Sequence, residues 1–346
     1  METTYRAAII GCGRISGAHA KAFAQSGRYR LVAAADIRDE AAKSYAEQHG
    51  VPKTYSDYRL MLAEERPDVV VVATWAGLHA EMTAVAAESG VKGILCEKPM
   101  APSLIEARAM VVAAQTNGVK LAIGHQHRFD PSWVKARELV AAGAIGTPML
   151  AYVRPTDGLL NNGTHYIDGV RYILGDPATQ WVAGQVERRT DRFERGQPIE
   201  DCLAATIGLA GGTRLLVEVD LPKIEGEQAP PPVVIEGSAG SIHAWWSDLR
   251  LYGKDGVQSL EFPKDVPSHA RQAAEFALWL DGSIADYRDS ADKAYETVAM
   301  MMGIYESVAA NGVVRFPIEP AASPLVRLIE SGRLPVEVPG KYDIRA

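Results

Sequence analysis

"IIGCGRISGAHA", residues 9–20, decides how the chain starts to fold. An apolar run ends at Gly11 and Gly13, and a segment with helical spacing follows at once. Gly11 permits a tight turn, and Gly13 lets backbone approach a ligand closely. The helix behind them would offer unpaired N–H groups and the positive end of its dipole, which suits a pyrophosphate. Arg14 and Ile15 open that helix and are expected beside the same ligand. The third glycine position of the pattern holds Ser16, small enough for close helix–strand packing. A bare G-x-G is a weak signal; its place between a strand and a helix makes it informative.

The segments that follow keep the same rhythm. "YRLVAAAD" (29–36), "PDVVVVAT" (67–74), "VKGILCE" (91–97) and "VKLAIGH" (119–125) read as strands. Residues 39–50, 78–90 and 103–118 between them read as helices, with Gly90 a C′ residue and Ser103 an N-cap. Strand and helix in alternation predict a parallel sheet with helices on both faces. Asp36 closes the second strand about 20 residues beyond the glycines, where an acid accepts hydrogen bonds from an adenosine ribose. An anion there repels a 2′-phosphate, so NAD is favoured over NADP as cofactor. Arg38 stands close by and can turn toward a phosphate.

The second half changes character. Short strand-like runs at 147–154, 179–189, 202–210, 213–221, 231–237, 240–246 and 248–253 are separated by Gly- and Asp-rich turns. They predict a mostly antiparallel open sheet with helices on one face. A Pro-rich loop is expected at 222–232, and helices at 165–174, 269–282 and 289–312. The expected architecture is a Rossmann domain over 1–125 and an α+β domain over 126–346, whose C-terminal helices can pack back on the first domain. The run Met300–Met302 reads as core filler.

Composition narrows the function classes. A net charge of −7 argues against a nucleic-acid groove, which needs a basic face. Cys12, Cys96 and Cys202 form no C-x-x-C pair, so neither a zinc knuckle nor a disulfide framework is indicated. His125 and His127 would share one side of a strand, but no third ligand accompanies them, and no metal is expected. The N-terminus shows no signal-peptide pattern and no apolar stretch reaches the ~20 residues needed to span a bilayer, so a cytoplasmic protein is expected.

"GILCEKPM" (93–100) is the second informative stretch. A buried-looking strand breaks into Glu97, Lys98 and Pro99. Ligands of open parallel sheets sit beyond the carboxyl ends of the strands, where Gly11, Asp36, Thr74, Glu97 and His125 all lie. Lys98 should therefore project toward the cofactor, held extended by the proline after it.

The order "GCGRISGAH", Asp36, "VVVATWAGLH", "CEKP" and "GHQHRF" resembles the Gfo/Idh/MocA family of nicotinamide-dependent oxidoreductases over essentially the whole chain. The resemblance implies that Lys98 polarises substrate or moves a proton close to the nicotinamide. It implies that Thr74, Trp75, His79, Glu97 and Gln126 line the cofactor and that Arg128 contacts substrate. Trp75-Ala76 replace the family's Pro-Asn. In "DGLLNNGTHYID" (157–168), His165 is the natural partner of Lys98, because a histidine suits the proton released when an alcohol is oxidised. Many members have an aspartate four residues before this histidine; here it is Asn161, with Asp157 a further candidate for substrate.

The leading expectation is an NAD-dependent dehydrogenase acting on a hydroxyl of a sugar, cyclitol or sugar derivative. One alternative is a lyase or glycosidase with no net redox change, in which tightly bound NAD oxidises the sugar transiently. The other is an NAD(H)-sensing binding protein. The family resemblance also implies a homodimer or homotetramer formed through the open face of the second sheet.

Overall fold

Six parallel strands form the first sheet: β1 (Tyr5–Ile10), β2 (Tyr29–Ala35), β3 (Thr54–Tyr55), β4 (Val69–Val72), β5 (Gly93–Cys96) and β6 (Lys120–Ile123). Their order, β3-β2-β1-β4-β5-β6, is that of a dinucleotide-binding sheet, which reverses beside β1. The connections run through α1 (Arg14–Ser26), α2 (Asp39–His49), α3 (Tyr58–Glu65), α4 (Ala76–Glu88) and α5 (Leu104–Thr116). All four valines of β4 are fully buried, as a strand covered on both faces requires. Each such burial is worth about 1.5–3 kcal/mol. This computed structural model describes residues 3–222 and 230–339; of the Pro-rich loop expected at 222–232, residues 223–229 lie outside the described residues.

The chain forms two compact units. The first contains residues up to 101, 106–129 and 264–294; the second contains 102–105, 130–263 and 295 onward. Helix α8 (Ser268–Leu280) thus belongs with the parallel sheet. Tyr29 Oη donates to the Ala273 carbonyl at 2.8 Å, and Arg28 pairs with Asp281 at 2.8 Å. The packing of α8 explains why β5 starts with glycine: a Cβ at Gly93 would lie 2.5 Å from Leu280 Cδ2 and 2.8 Å from Phe276 Cζ.

The second unit carries a nine-stranded sheet. Its strands are β7 (Pro148–Val153), β8 (Thr179–Glu187), β11 (Cys202–Leu209), β12 (Arg214–Val219), β13 (Val233–Gly237), β14 (Gly240–Ala244), β15 (Asp248–Gly253), β16 (Gly256–Glu261) and β17 (Val314–Arg315). A small hairpin, β9 (Phe193–Glu194) with β10 (Gln197–Pro198), stands apart. The order is β16-β15-β14-β13-β7-β12-β11-β8-β17. Every ladder is antiparallel except β7 with β12, so the sheet is mixed. Alternation sets its covered face: in β12, Leu215, Val217 and Val219 are buried while Arg214, Leu216 and Glu218 point the other way. Helices α6 (Pro131–Ala141), α7 (Thr164–Ile173), α9 (Ala291–Ala310) and α10 (Pro324–Glu330) complete the fold. Met300, Met301 and Met302 are all buried, as core filler should be.

Three helices, α3, α6 and α10, are not expected from the sequence and are found only in the structure. In α3 the Asp57 side chain caps the helix by accepting from Arg59 N at 2.8 Å, and in α6 a proline takes the first turn. Residues 126–129, which read as a strand's end, instead form a 3₁₀ turn. His125 and His127 therefore do not stand at alternate positions of one strand.

Candidate active site

Gly11 adopts a left-handed φ of +93°, and a Cβ there would lie 2.6 Å from the Ala73 carbonyl oxygen. Only glycine lets β1 turn into α1 this close to the end of β4. Gly13 caps α1 without a side chain, and a Cβ there would meet nothing within 4 Å. No side chain caps the first N–H groups of α1, and the space beside Gly13 is open, as the approach of a phosphate requires. Ser16, at the third glycine position, is fully buried and its Oγ donates to the Gly13 carbonyl at 2.6 Å. A serine here packs as the glycine would and also fastens the loop. Arg14 and Ile15, in the first turn, are exposed.

Asp36 ties the loop to the end of β2. One carboxylate oxygen accepts from Cys12 N and the other from Arg38 N, each at 2.9 Å. Arg38 Nε lies 3.6 Å from the same carboxylate, on a largely exposed side chain. A cavity of about 380 Å³ opens here, bounded by Gly11, Gly13, Asp36, Arg38, Thr74 and Trp75. Trp75 is 57% exposed at its wall. The glycine cradle, the free helix terminus and the acid at the end of β2 fit a dinucleotide.

Lys98 lies two residues past the end of β5, and its peptide bond to Pro99 is cis. Its backbone N–H donates to Glu97 Oε2 at 3.2 Å. Glu97 is buried, and its Oε1 accepts from His19 Nε2 at 2.6 Å. Burial by itself would raise the Glu97 pKa. The His19 hydrogen bond and the charges of His19, Lys98 and His269 outweigh it and hold the carboxyl at about 2, so it is ionised. His269, from the first turn of α8, packs edge-to-face on His19 at 5.5 Å. His79 is fully buried, and its ring nitrogens lie 3.0 Å from the Pro99 carbonyl and 3.2 Å from the Thr74 carbonyl. Burial lowers the His79 pKa, which favours a neutral ring that donates to one of these two carbonyls. Gln126 sits on the 3₁₀ turn against His127, half-buried. Arg128 is buried and donates to the Arg288 carbonyl at 2.7 Å, so its guanidinium serves to tie the turn to the segment after α8.

In the second unit the stretch that ends in His165 is built on a π-helical turn, Gly158–Gly163, running into α7. Asp157 precedes it in a left-handed conformation, φ 66°. Three successive N–H groups are held by two carboxylates. Asp220 accepts from Asp157 N at 2.8 Å and from Gly158 N at 2.9 Å, and Glu200 accepts from Leu159 N at 2.6 Å. Glu200 also accepts from Tyr305 Oη at 2.7 Å, while Arg192 pairs with Asp220 at 3.1 Å. Burial raises the Glu200 pKa against these hydrogen bonds. Asn161 is buried, and its Nδ2 donates to the Asp157 carbonyl at 3.0 Å. His165 is buried in the first turn of α7. Asp168, one turn on, accepts from Thr297 Oγ1 at 3.0 Å, which in turn accepts from Arg171.

The supporting residues His19, His269, Glu200 and Asp220 carry no sequence signal beyond the histidine that closes "GCGRISGAH". Their partners are far away in the chain. Among the described residues no cluster of three or more metal-ligating side chains is found, and no helix is long and apolar enough to cross a membrane.

The first unit is therefore a dinucleotide-binding domain with a lysine delivered at the carboxyl end of its sheet. Residues 5–125 match the oxidoreductase family with an NAD-binding Rossmann fold, and residues 152–315 match that family's C-terminal alpha/beta domain. An inositol 2-dehydrogenase of Rhizobium meliloti is 31% identical over 76% of this chain and 77% of its own length. A D-apiose dehydrogenase of Paraburkholderia graminis is 26% identical over 95% and 94%. A levoglucosan dehydrogenase, solved with NADH and levoglucosan, superposes with a TM-score of 0.80 at 22% identity, covering 91% of this chain and all of that one. The chain belongs to the Gfo/Idh/MocA family and is an oxidoreductase.

Proposed function

We propose that the protein oxidises a hydroxyl of a sugar, cyclitol or sugar derivative, with Lys98 and His165 handling the proton. The observation that carries this reading is Lys98 at the carboxyl end of β5, behind a buried, ionised Glu97 and on the sheet edge that bears the phosphate loop. Bound NAD would supply the hydride acceptor. Gly11, Gly13 and the start of α1 would hold its pyrophosphate, and Asp36 its ribose. The ammonium of Lys98 would stabilise the alkoxide that forms as the substrate carbon is oxidised. His165 would take the hydroxyl proton. These two groups lie in different units, and their cooperation rests on family membership rather than on a distance. The named activities of the relatives, on apiose and inositol, support the substrate class. A homodimer or homotetramer through the uncovered face of the nine-stranded sheet completes the proposal.

The experiment is to follow reduced nicotinamide after mixing protein, NAD and a panel of cyclitols, aldoses and glycosides. Accumulation over many turnovers with one class supports the reading. No reduced cofactor and no altered product with any compound contradicts it.

Two variants probe the parts. Asp36→Asn keeps an oxygen for the loop but removes the charge. Its preference for NAD over NADP should fall at least about tenfold, measured as a ratio of dissociation constants. An unchanged ratio would remove Asp36 from cofactor selection. Asp220→Asn leaves one of the two N–H groups before the π-turn without its carboxylate oxygen. Turnover should fall on the order of 10²-fold through misplacement of His165, with NAD affinity unchanged. Equal losses in both would show a general folding defect instead.

A further inference from the structure

Three arginines, Arg188, Arg189 and Arg333, line a groove of about 510 Å³ in the second unit, where the ends of β8 and β11 meet the chain near residue 335. Glu187 and Glu337 line it too. Both carboxylates engage Arg189, whose Nε lies 2.9 Å from Glu187 and 3.6 Å from Glu337. Arg333 donates to the Val308 and Ala309 carbonyls at 2.8 and 2.6 Å and to Asn311 Oδ1 at 2.7 Å, at the end of α9.

Arg188 is different. It is 7% exposed, and its Nε and Nη1 are buried with no hydrogen-bond partner. Among the described residues no carboxylate pairs with it. A guanidinium cannot shed its charge at any ordinary pH. Burying it without an anion is costly, and native structures avoid this unless a partner arrives from elsewhere. Both glutamates of the groove are engaged by Arg189, and neither is paired with Arg188.

We propose that this groove is an anion site in which Arg188 receives a phosphoryl or carboxylate group of a small metabolite. A guanidinium pairs with either group through its charge and its N–H donors. The volume exceeds that of one phosphate and leaves room for the rest of a small molecule. Every residue of the groove lies in the second unit, so the site does not depend on the nucleotide loop or on Lys98.

Thermal unfolding of the full chain tests it, at fixed ionic strength and with saturating NAD so that added anion does not compete for the phosphate loop. Inorganic phosphate and acetate are titrated in parallel. The wild-type midpoint should rise saturably with at least one of them, with half-saturation in the millimolar range or below, and the stronger response identifies the group. Arg188→Met fills similar volume without charge. It should lose the saturable rise and, without anion, unfold at the same temperature or higher, because an uncompensated buried charge is gone. Three results overturn the site: a wild-type midpoint that neither anion moves, an equal shift in Arg188→Met, or an Arg188→Met chain clearly less stable than wild type without anion.

Discussion

Lys98→Met should lower turnover by about 10²- to 10⁴-fold and leave NAD binding intact. Methionine matches the length of the lysine side chain and removes only the ammonium. In the proposed reading the dinucleotide would be held elsewhere, by the Gly11 turn, the N-terminus of α1 and the Asp36 carboxylate. A group that acts only on developing charge lowers kcat without changing ground-state affinity. Loss of general acid–base or alkoxide stabilisation at one position costs about 10²- to 10⁴-fold. Steady-state kinetics and a fluorescence titration with NAD read the two quantities separately. Retained turnover would remove Lys98 from the chemistry. A parallel loss of NAD affinity would make it a cofactor ligand instead.

His19→Ala should unfold the first unit more easily than any other single change near the site. His19 donates to Glu97 at 2.6 Å, and both side chains are buried. Removing one partner of such a pair leaves a buried carboxylate uncompensated, at a cost of about 3–5 kcal/mol. The pH dependence provides a second check. In the folded protein Glu97 titrates at about 2 against an ordinary 4.5, so its proton affinity is depressed by folding. The stabilisation is complete above about pH 4.5 and is lost as pH falls toward 2, on the order of 3 kcal/mol in all. Urea unfolding of wild type and His19→Ala at pH 7 and pH 3 measures both. The gap between them should be large at pH 7 and smaller at pH 3. A constant or absent gap would show that the pair contributes little.

The parallel sheet was legible because each element declares itself locally. Val69–Val72 can only be a strand buried on both faces, and Gly11 and Gly13 mark the turn that precedes α1. The mixed sheet was legible for most strands, where apolar alternation is kept, as in β12. β16 was not, because "GVQSLE" is exposed along nearly its whole length and so carries no alternation. The parallel pairing of β7 with β12 was also hidden, since register between distant strands leaves no local pattern.

The candidate site divides in the same way. Residues at strand ends, from Gly11 through Asp36 to Lys98, could be read from their position in the alternation. The surroundings of Arg128 could not: it is buried and donates to the Arg288 carbonyl, a contact with a residue far along the chain. The π-turn under His165 was missed because two acids far along the chain, Glu200 and Asp220, hold its N–H groups. The same holds for His19, which meets Glu97 from α1, and for His269, which packs on His19 because α8 returns to the first unit.

The central claim is direct hydride transfer from a sugar or cyclitol carbon to the cofactor. The most direct measurement is to incubate the protein with NAD and perdeuterated inositol or glucose and to weigh the nicotinamide product by mass spectrometry. Transfer predicts one deuterium in the reduced nicotinamide. Reduced cofactor without deuterium, or sugar turned over while every carbon-bound deuterium stays in place, would contradict it.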